Sequence, residues 1–118
     1  MSIVTVSLAA GRVPVIVLQL QGRLNLGNTL ELEKAAREAF TAGGHDMVMD
    51  LSKAPSLTSA GLRSILVIHN MLANAGRDNA RHLKLVSPTP YVREVLKVAG
   101  LLDFIEVYGS LDEAVASF

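Results

Sequence analysis

The run Met47-Val48-Met49, closed in by Asp46 and Asp50, is the tightest constraint in the sequence. Three consecutive large apolar residues have no polar face, so as a strand they need cover on both sides, the mark of a sheet with parallel pairing. Parallel neighbours cannot be joined by a tight turn, and the flanking segments supply the crossovers. Upstream, Leu32, Ala35, Ala36, Ala39 and Phe40 fall at helical spacing between Thr29 and Gly43-Gly44, with Glu33 and Arg37 as an i,i+4 pair on the wet side. Downstream, Leu62, Ile65, Leu66, His69, Leu72 and Ala73 share one face of a helix from about Ser59 to about Ala75, and Gly76 stands where a C-terminal glycine belongs.

The remaining segments extend the pattern. Ile3 to Leu8 and Val13 to Gln21 alternate apolar and polar side chains around Gly11-Arg12, which predicts an antiparallel hairpin. "HLKLVS" predicts a fourth strand, and "TPYVREVLKVAG" a third helix capped by Thr89, with Pro90 at its first position and Gly100 at its end. "FIEVY" is a fifth strand, and Ser110 with Glu113 forms a capping-box pattern for a short last helix. The order ββαβαβαβα implies right-handed crossovers and an α/β fold with a mixed, mostly parallel central sheet. At 118 residues, half of them apolar, the chain fits one domain, 1–118.

Charge and composition exclude several function classes. Eleven basic and eleven acidic side chains cancel with no Lys/Arg run, so neither nucleic acid nor an anionic membrane is the expected partner. The absence of cysteine removes disulfides and thiolate metal sites and points to a reducing, cytoplasmic setting. No signal-peptide pattern opens the sequence and no apolar run approaches a membrane span, so neither export nor insertion is expected. His45, His69 and His82 have no metal-ligand spacing, and no glycine-rich nucleotide loop is present, so neither metal nor cofactor is expected. Asp50 ends a buried strand, as a phosphoacceptor aspartate does in a receiver domain. A receiver also needs an acidic pair after its first strand and a later lysine; here Gln19, Gln21 and "LVSPTP" stand instead, and Asp50 reads as a carboxylate bonding the amides of its own loop.

What remains is the loop "APSLTSAGLR", where two adjacent hydroxyls, Thr58 and Ser59, meet the start of the second helix. Ser59 fits the N-cap, its Oγ accepting from an amide near Leu62. Its neighbours Thr58, Ala60 and Gly61 are small, leaving the backbone amides accessible, and the positive end of the helix dipole favours an added phosphate. Arg63 is the one nearby cation able to receive that charge.

The segment "VMDLSKAPSLTSAGLRSIL" resembles the signature loop of STAS domains, the family of bacterial anti-sigma-factor antagonists, and "LQLQGRLNLGNTLELEKAAREAF" is similar to that family's second strand and first helix. The resemblance spans essentially the whole chain and implies a single STAS-like domain. It aligns Ser59 with the family's phosphorylated hydroxyl, Gly61-Leu62 with the Gly-Leu that follows it, and Asn25 with an aspartate beside the phosphosite. Asn25 replaces that aspartate, and Thr58 stands where many relatives carry Asp, so this loop holds fewer carboxylates than is usual.

The resemblance further implies a non-enzymatic, partner-switching regulator. The unphosphorylated form binds an anti-sigma factor with serine kinase activity and frees a sigma factor; phosphorylation at Ser59 ends binding, and a serine phosphatase restores it. The docking surface would comprise the Ser59 loop with Thr58, Ala60, Gly61, Leu62 and Arg63, together with the "RLNLGN" loop and Asn25. Leu24, Leu26 and Leu57 are candidates either for exposed contact or for core packing. A second reading of the resemblance is a STAS-type docking subunit, for example of a transport ATPase system, that uses Ser59 for contact only. Both readings share one fold, and only the site can separate them.

Overall fold

The computed structural model describes residues 3–75 and 82–118, so Gly76 lies outside the described residues. Within them the chain runs β1 (Val4–Ala10), β2 (Pro14–Gln21), α1 (Thr29–Thr41), β3 (Met47–Lys53), α2 (Ser59–Ala75), β4 (Leu83–Val86), α3 (Pro90–Val98), β5 (Glu106–Tyr108) and α4 (Leu111–Ala116), with a 3-10 turn at Leu101–Asp103. The strands form one sheet in chain order, β1-β2-β3-β4-β5. β1 and β2 pair antiparallel, and every later pair is parallel. This is the α/β architecture with an N-terminal hairpin that the sequence predicts.

The apolar run in β3 is covered on both sides, as its composition demands. Met47, Met49 and Leu51 belong to the larger core, which also takes Leu32 and Ala36 from α1, Ile65, Ile68 and Leu72 from α2, and Val92 and Leu96 from α3. Val48 points to the opposite face, where with Val15 and Val86 it meets Ala114 and Val115 of α4. Three crossover helices thus lie on one face and the short α4 on the other.

Local end signals are used as the chemistry suggests. Thr89 caps α3 by accepting from Val92 N (3.3 Å), with Pro90 in its first turn, and Ser110 caps α4 by accepting from Glu113 N (3.2 Å). Gly43 and Gly100 take positive φ (106° and 85°) just beyond α1 and α3, a backbone shape that costs glycine nothing. Asp50 does not end its strand as expected, because β3 continues to Lys53; its Oδ1 accepts from Ser52 N (2.9 Å) within the strand, and half-buried His69 packs its ring on Phe104 (centroids 5.1 Å apart).

Two surface expectations are corrected. Glu33 does not pair with Arg37 on a wet face. Its Oε2 accepts from the buried Ser64 Oγ at 2.6 Å, joining α1 to α2, and the i,i+4 contact on α1 is Lys34–Glu38 (3.9 Å). The buried stripe of α2 also turns toward Gly61, Ser64, Ile65, Ile68 and Leu72, which leaves Ala73 exposed.

Lys84 is a charge set inside the sheet, only 5% exposed. Its Nζ donates to Ser117 Oγ (2.7 Å) and Ser117 O (3.1 Å), meets Glu106 Oε1 at 3.2 Å, and lies 4.3 Å from the centroid of the Phe118 ring. Every donor direction of the ammonium is therefore used, and the carbonyl end of α4 adds a favourable dipole. Lys84→Ala removes this knot and is expected to lower unfolding free energy by about 2 kcal/mol. Lys84→Met keeps the packing and should cost about 1 kcal/mol less than the alanine change. Urea denaturation at constant m-value checks both.

Candidate functional site

The start of α2 is held by a carbonyl far away in sequence. Leu24 O accepts from Thr58 N (3.1 Å) and from Thr58 Oγ1 (3.1 Å), and Leu24 and Leu57 form an isolated parallel bridge. Gly61, on the first turn of α2, lies directly against Leu24: a Cβ built there would stand 2.9 Å from Leu24 Cβ. The glycine is present because two backbone segments approach too closely for any side chain.

This clasp decides which hydroxyl caps the helix. Thr58 is the capping residue: Oγ1 accepts from Gly61 N (3.4 Å), and Thr58 O accepts from Leu62 N (3.1 Å). Ser59, expected to be the cap, is instead the first helical residue, exposed, and its Oγ makes no hydrogen bond among the described residues. The reason is that Thr58 also satisfies Leu24 O, so one inward hydroxyl serves both ends of the contact and the next residue is turned outward.

The "RLNLGN" loop is organised by its two asparagines. Asn25 Oδ1 accepts from Gly27 N (2.8 Å), Asn28 Oδ1 accepts from Asn25 N (2.9 Å), and Asn28 Nδ2 donates to Arg23 O (2.8 Å). Asn25 O accepts from Asn28 N and Thr29 N, which leads straight into α1. These short-range bonds are the usual work of Asn in turns. They hold Asn25 exposed and leave its Nδ2 without a protein partner among the described residues.

The two loops and the helices they begin enclose one groove. Asn25, Leu26, Leu30 and Glu33 line it from the α1 side, and Thr58, Ser59, Ala60 and Arg63 from the α2 side. The fold thus brings Ser59, Asn25, Thr58, Ala60 and Arg63 together. Gly61 is buried beneath this surface, and half-buried Leu62 packs on the main core. Of the three leucines considered for contact, Leu24 and Leu57 are core residues, since the Leu24–Leu57 bridge turns both side chains inward; Leu26 alone projects, 81% exposed. Leu30, 75% exposed, joins it on the α1 side. Its sequence signal was available: Leu30 falls out of phase with the Leu32/Ala36 stripe and so belongs to the wet face of α1.

Comparison with known proteins shows the family. Residues 8–114 match the model of the STAS domain family, and the chain belongs to that family. It is 32% identical over 103 residues to BtrV of Bordetella bronchiseptica, named as an anti-sigma factor antagonist, covering 87% of this chain and 85% of that protein. A Thermotoga maritima protein described as an anti-sigma factor antagonist has a similar structure, with TM-score 0.76, 26% identity, and coverage of 85% of this chain and 83% of that one. The Bacillus cell-fate determinant SpoIIAA, solved in its phosphorylated form, shares the fold with TM-score 0.66 and 21% identity, over 94% of this chain and 96% of the other. Among the described residues, no group of His, Asp and Glu is arranged to hold a metal ion, and no helix is long and apolar enough to cross a membrane.

Two stability outcomes follow from the clasp. Thr58→Ala should cost about 1 kcal/mol through loss of the cap, whereas Ser59→Ala should stay within about 0.5 kcal/mol of the parent; thermal and urea unfolding of both variants measure the difference. Gly61→Ala would gain helix propensity at an open position, yet here it should destabilise by about 1–3 kcal/mol because the methyl collides with Leu24.

Proposed function

We propose that this chain is a partner-switching regulator without catalysis of its own. The unmodified form binds an anti-sigma factor that is also a serine kinase, thereby freeing a sigma factor. Phosphorylation of Ser59 ends the complex, and a serine phosphatase restores it. The observation that carries this reading is the state of the Ser59 hydroxyl: exposed, outside the helix cap, and set in a groove beside two projecting leucines.

The chemistry of both states is consistent with that surface. Leu26 and Leu30 offer apolar area to a partner, and burial of such side chains gives roughly 1.5–3 kcal/mol each. A phosphate on Ser59 would add about 1.5 to 2 negative charges at the start of α2, where helix dipole and free amides tolerate it within the protein. Arg63, one turn along the same helix, and the free amide of Asn25 are the local groups able to meet it. With asparagine and threonine at these two positions, the loops themselves set no carboxylate beside Ser59, and the carboxylate that does line the groove, Glu33, is engaged by Ser64 Oγ. To a partner seated on the groove, the same phosphate is a charge to be desolvated, at a cost of several kcal/mol unless paired. The membership of the STAS family and the names of its relatives supply the class of partner.

Intact-mass analysis of protein from its own host, with fragmentation, is expected to locate a phosphate on Ser59. In binding assays with the anti-sigma factor of the same host, Ser59→Ala should bind like the unmodified parent and Ser59→Asp at least tenfold more weakly. A Ser59→Asp variant that binds with parental affinity, together with unmodified mass under all growth conditions, would overturn switching and leave the docking-subunit reading.

A further inference from the structure

We infer that β1 is a self-association edge at which two copies pair antiparallel about a dyad at Ser7. The inference rests on β1 alone and is independent of the reading of Ser59. Among the described residues no strand pairs with the outer side of β1, which lies at the end of the sheet order. The pairing parity shows which groups are presented there. Gln21 N donates to Ile3 O (2.8 Å), so Ile3 and the odd residues Thr5, Ser7 and Ala9 bond toward β2. The N–H and C=O groups of Val6 and Leu8 then point outward, as alternation in an antiparallel ladder requires.

Native edge strands are protected against pairing by charged side chains, proline, bulges or short length. β1 has none of these: its seven residues, "VTVSLAA", are uncharged and lack proline, and its register with β2 runs without a shift. Val6 and Leu8 are 46% and 68% exposed on the face shared with Leu18 and Leu20. Those features favour a strand partner, and the order of side chains favours a second copy. Thr5-Val6-Ser7-Leu8-Ala9 reads the same in polarity from either side of Ser7, apart from the small Ala9. A two-fold axis at Ser7 therefore places Val6 opposite Leu8 of the second copy, and Leu8 opposite its Val6, with four main-chain hydrogen bonds. Ser7 meets its own counterpart on the other face. No like charges oppose one another anywhere on the seam, the requirement that an isologous interface imposes on a strand.

The result is a continuous ten-stranded sheet in which each Ser59 groove, two strands from the seam at β3's end, stays open. One strand per copy is less than the roughly 1,600 Å² of a standard interface, so association should be weak, with Kd in the range of roughly 10–100 µM.

Sedimentation velocity over a concentration series should show a reversible monomer–dimer equilibrium, shifted to monomer by Leu8→Lys, an exposed position at which circular dichroism should report an intact fold. Because the chain contains no cysteine, Ser7→Cys places a single thiol at the dyad. Opposed residues of a non-hydrogen-bonded pair lie ~4.5 Å apart at Cα, within disulfide range, so mild oxidation should cross-link Ser7→Cys and leave Thr5→Cys uncross-linked. A parent chain that stays monomeric at high micromolar concentration overturns the inference. So does a dimer unaffected by Leu8→Lys, or cross-linking of Thr5→Cys in place of Ser7→Cys.

Discussion

The carbonyl of Leu24 is the point on which the functional surface depends. It accepts two hydrogen bonds from Thr58, and the Leu24 side chain lies against the bare Cα of Gly61. These contacts tie the loop before α1 to the loop before α2, so the helix starts that line the groove are fixed relative to each other. A second tie, Ser64 to Glu33, lies further along the same helix pair. Both are buried or half-buried, where a satisfied hydrogen bond is worth keeping and an orphaned one is costly. The groove is thus positioned by contacts of the scaffold and carries exposed side chains at its rim.

Much of the fold was legible because its signals are local. Thr89-Pro90, Ser110 with Glu113, and Gly43 each mark a helix end through bonds spanning a few residues, and the structure uses them so. The order of elements followed from period changes, and the triple apolar run announced a strand covered on both faces. The family resemblance lay in contiguous residues around Ser59 and was equally readable.

The points that the sequence misplaced or left open share a physical cause. Thr58 and Ser59 are equivalent caps as far as neighbouring amides are concerned; the choice between them is made by Leu24 O, 34 residues away in sequence. Leu24 and Leu57 sit in segments with loop composition, and only their mutual parallel bridge places them in the core. Glu33 obeys helix periodicity as a surface residue, yet a neighbouring helix offers it a hydroxyl. Lys84 carries no local signal of its burial, which depends on the end of α4 closing over it. In each case a long-range partner outweighed a sound local preference.

The sheet's winding has a consequence for what the molecule can recognise. Strands that follow one another in chain order across the sheet send every crossover to the same face, so the fold contains no topological switch point. In open α/β sheets, that reversal of direction parts neighbouring crossovers and creates the crevice in which nucleotides and other small ligands bind. A sheet wound in a single direction keeps its helices side by side and presents, above the carboxyl ends of its strands, a ledge of helix starts and loop tips. Such a ledge encloses little but can be covered over its whole breadth, a geometry better matched to another protein's surface than to a small molecule.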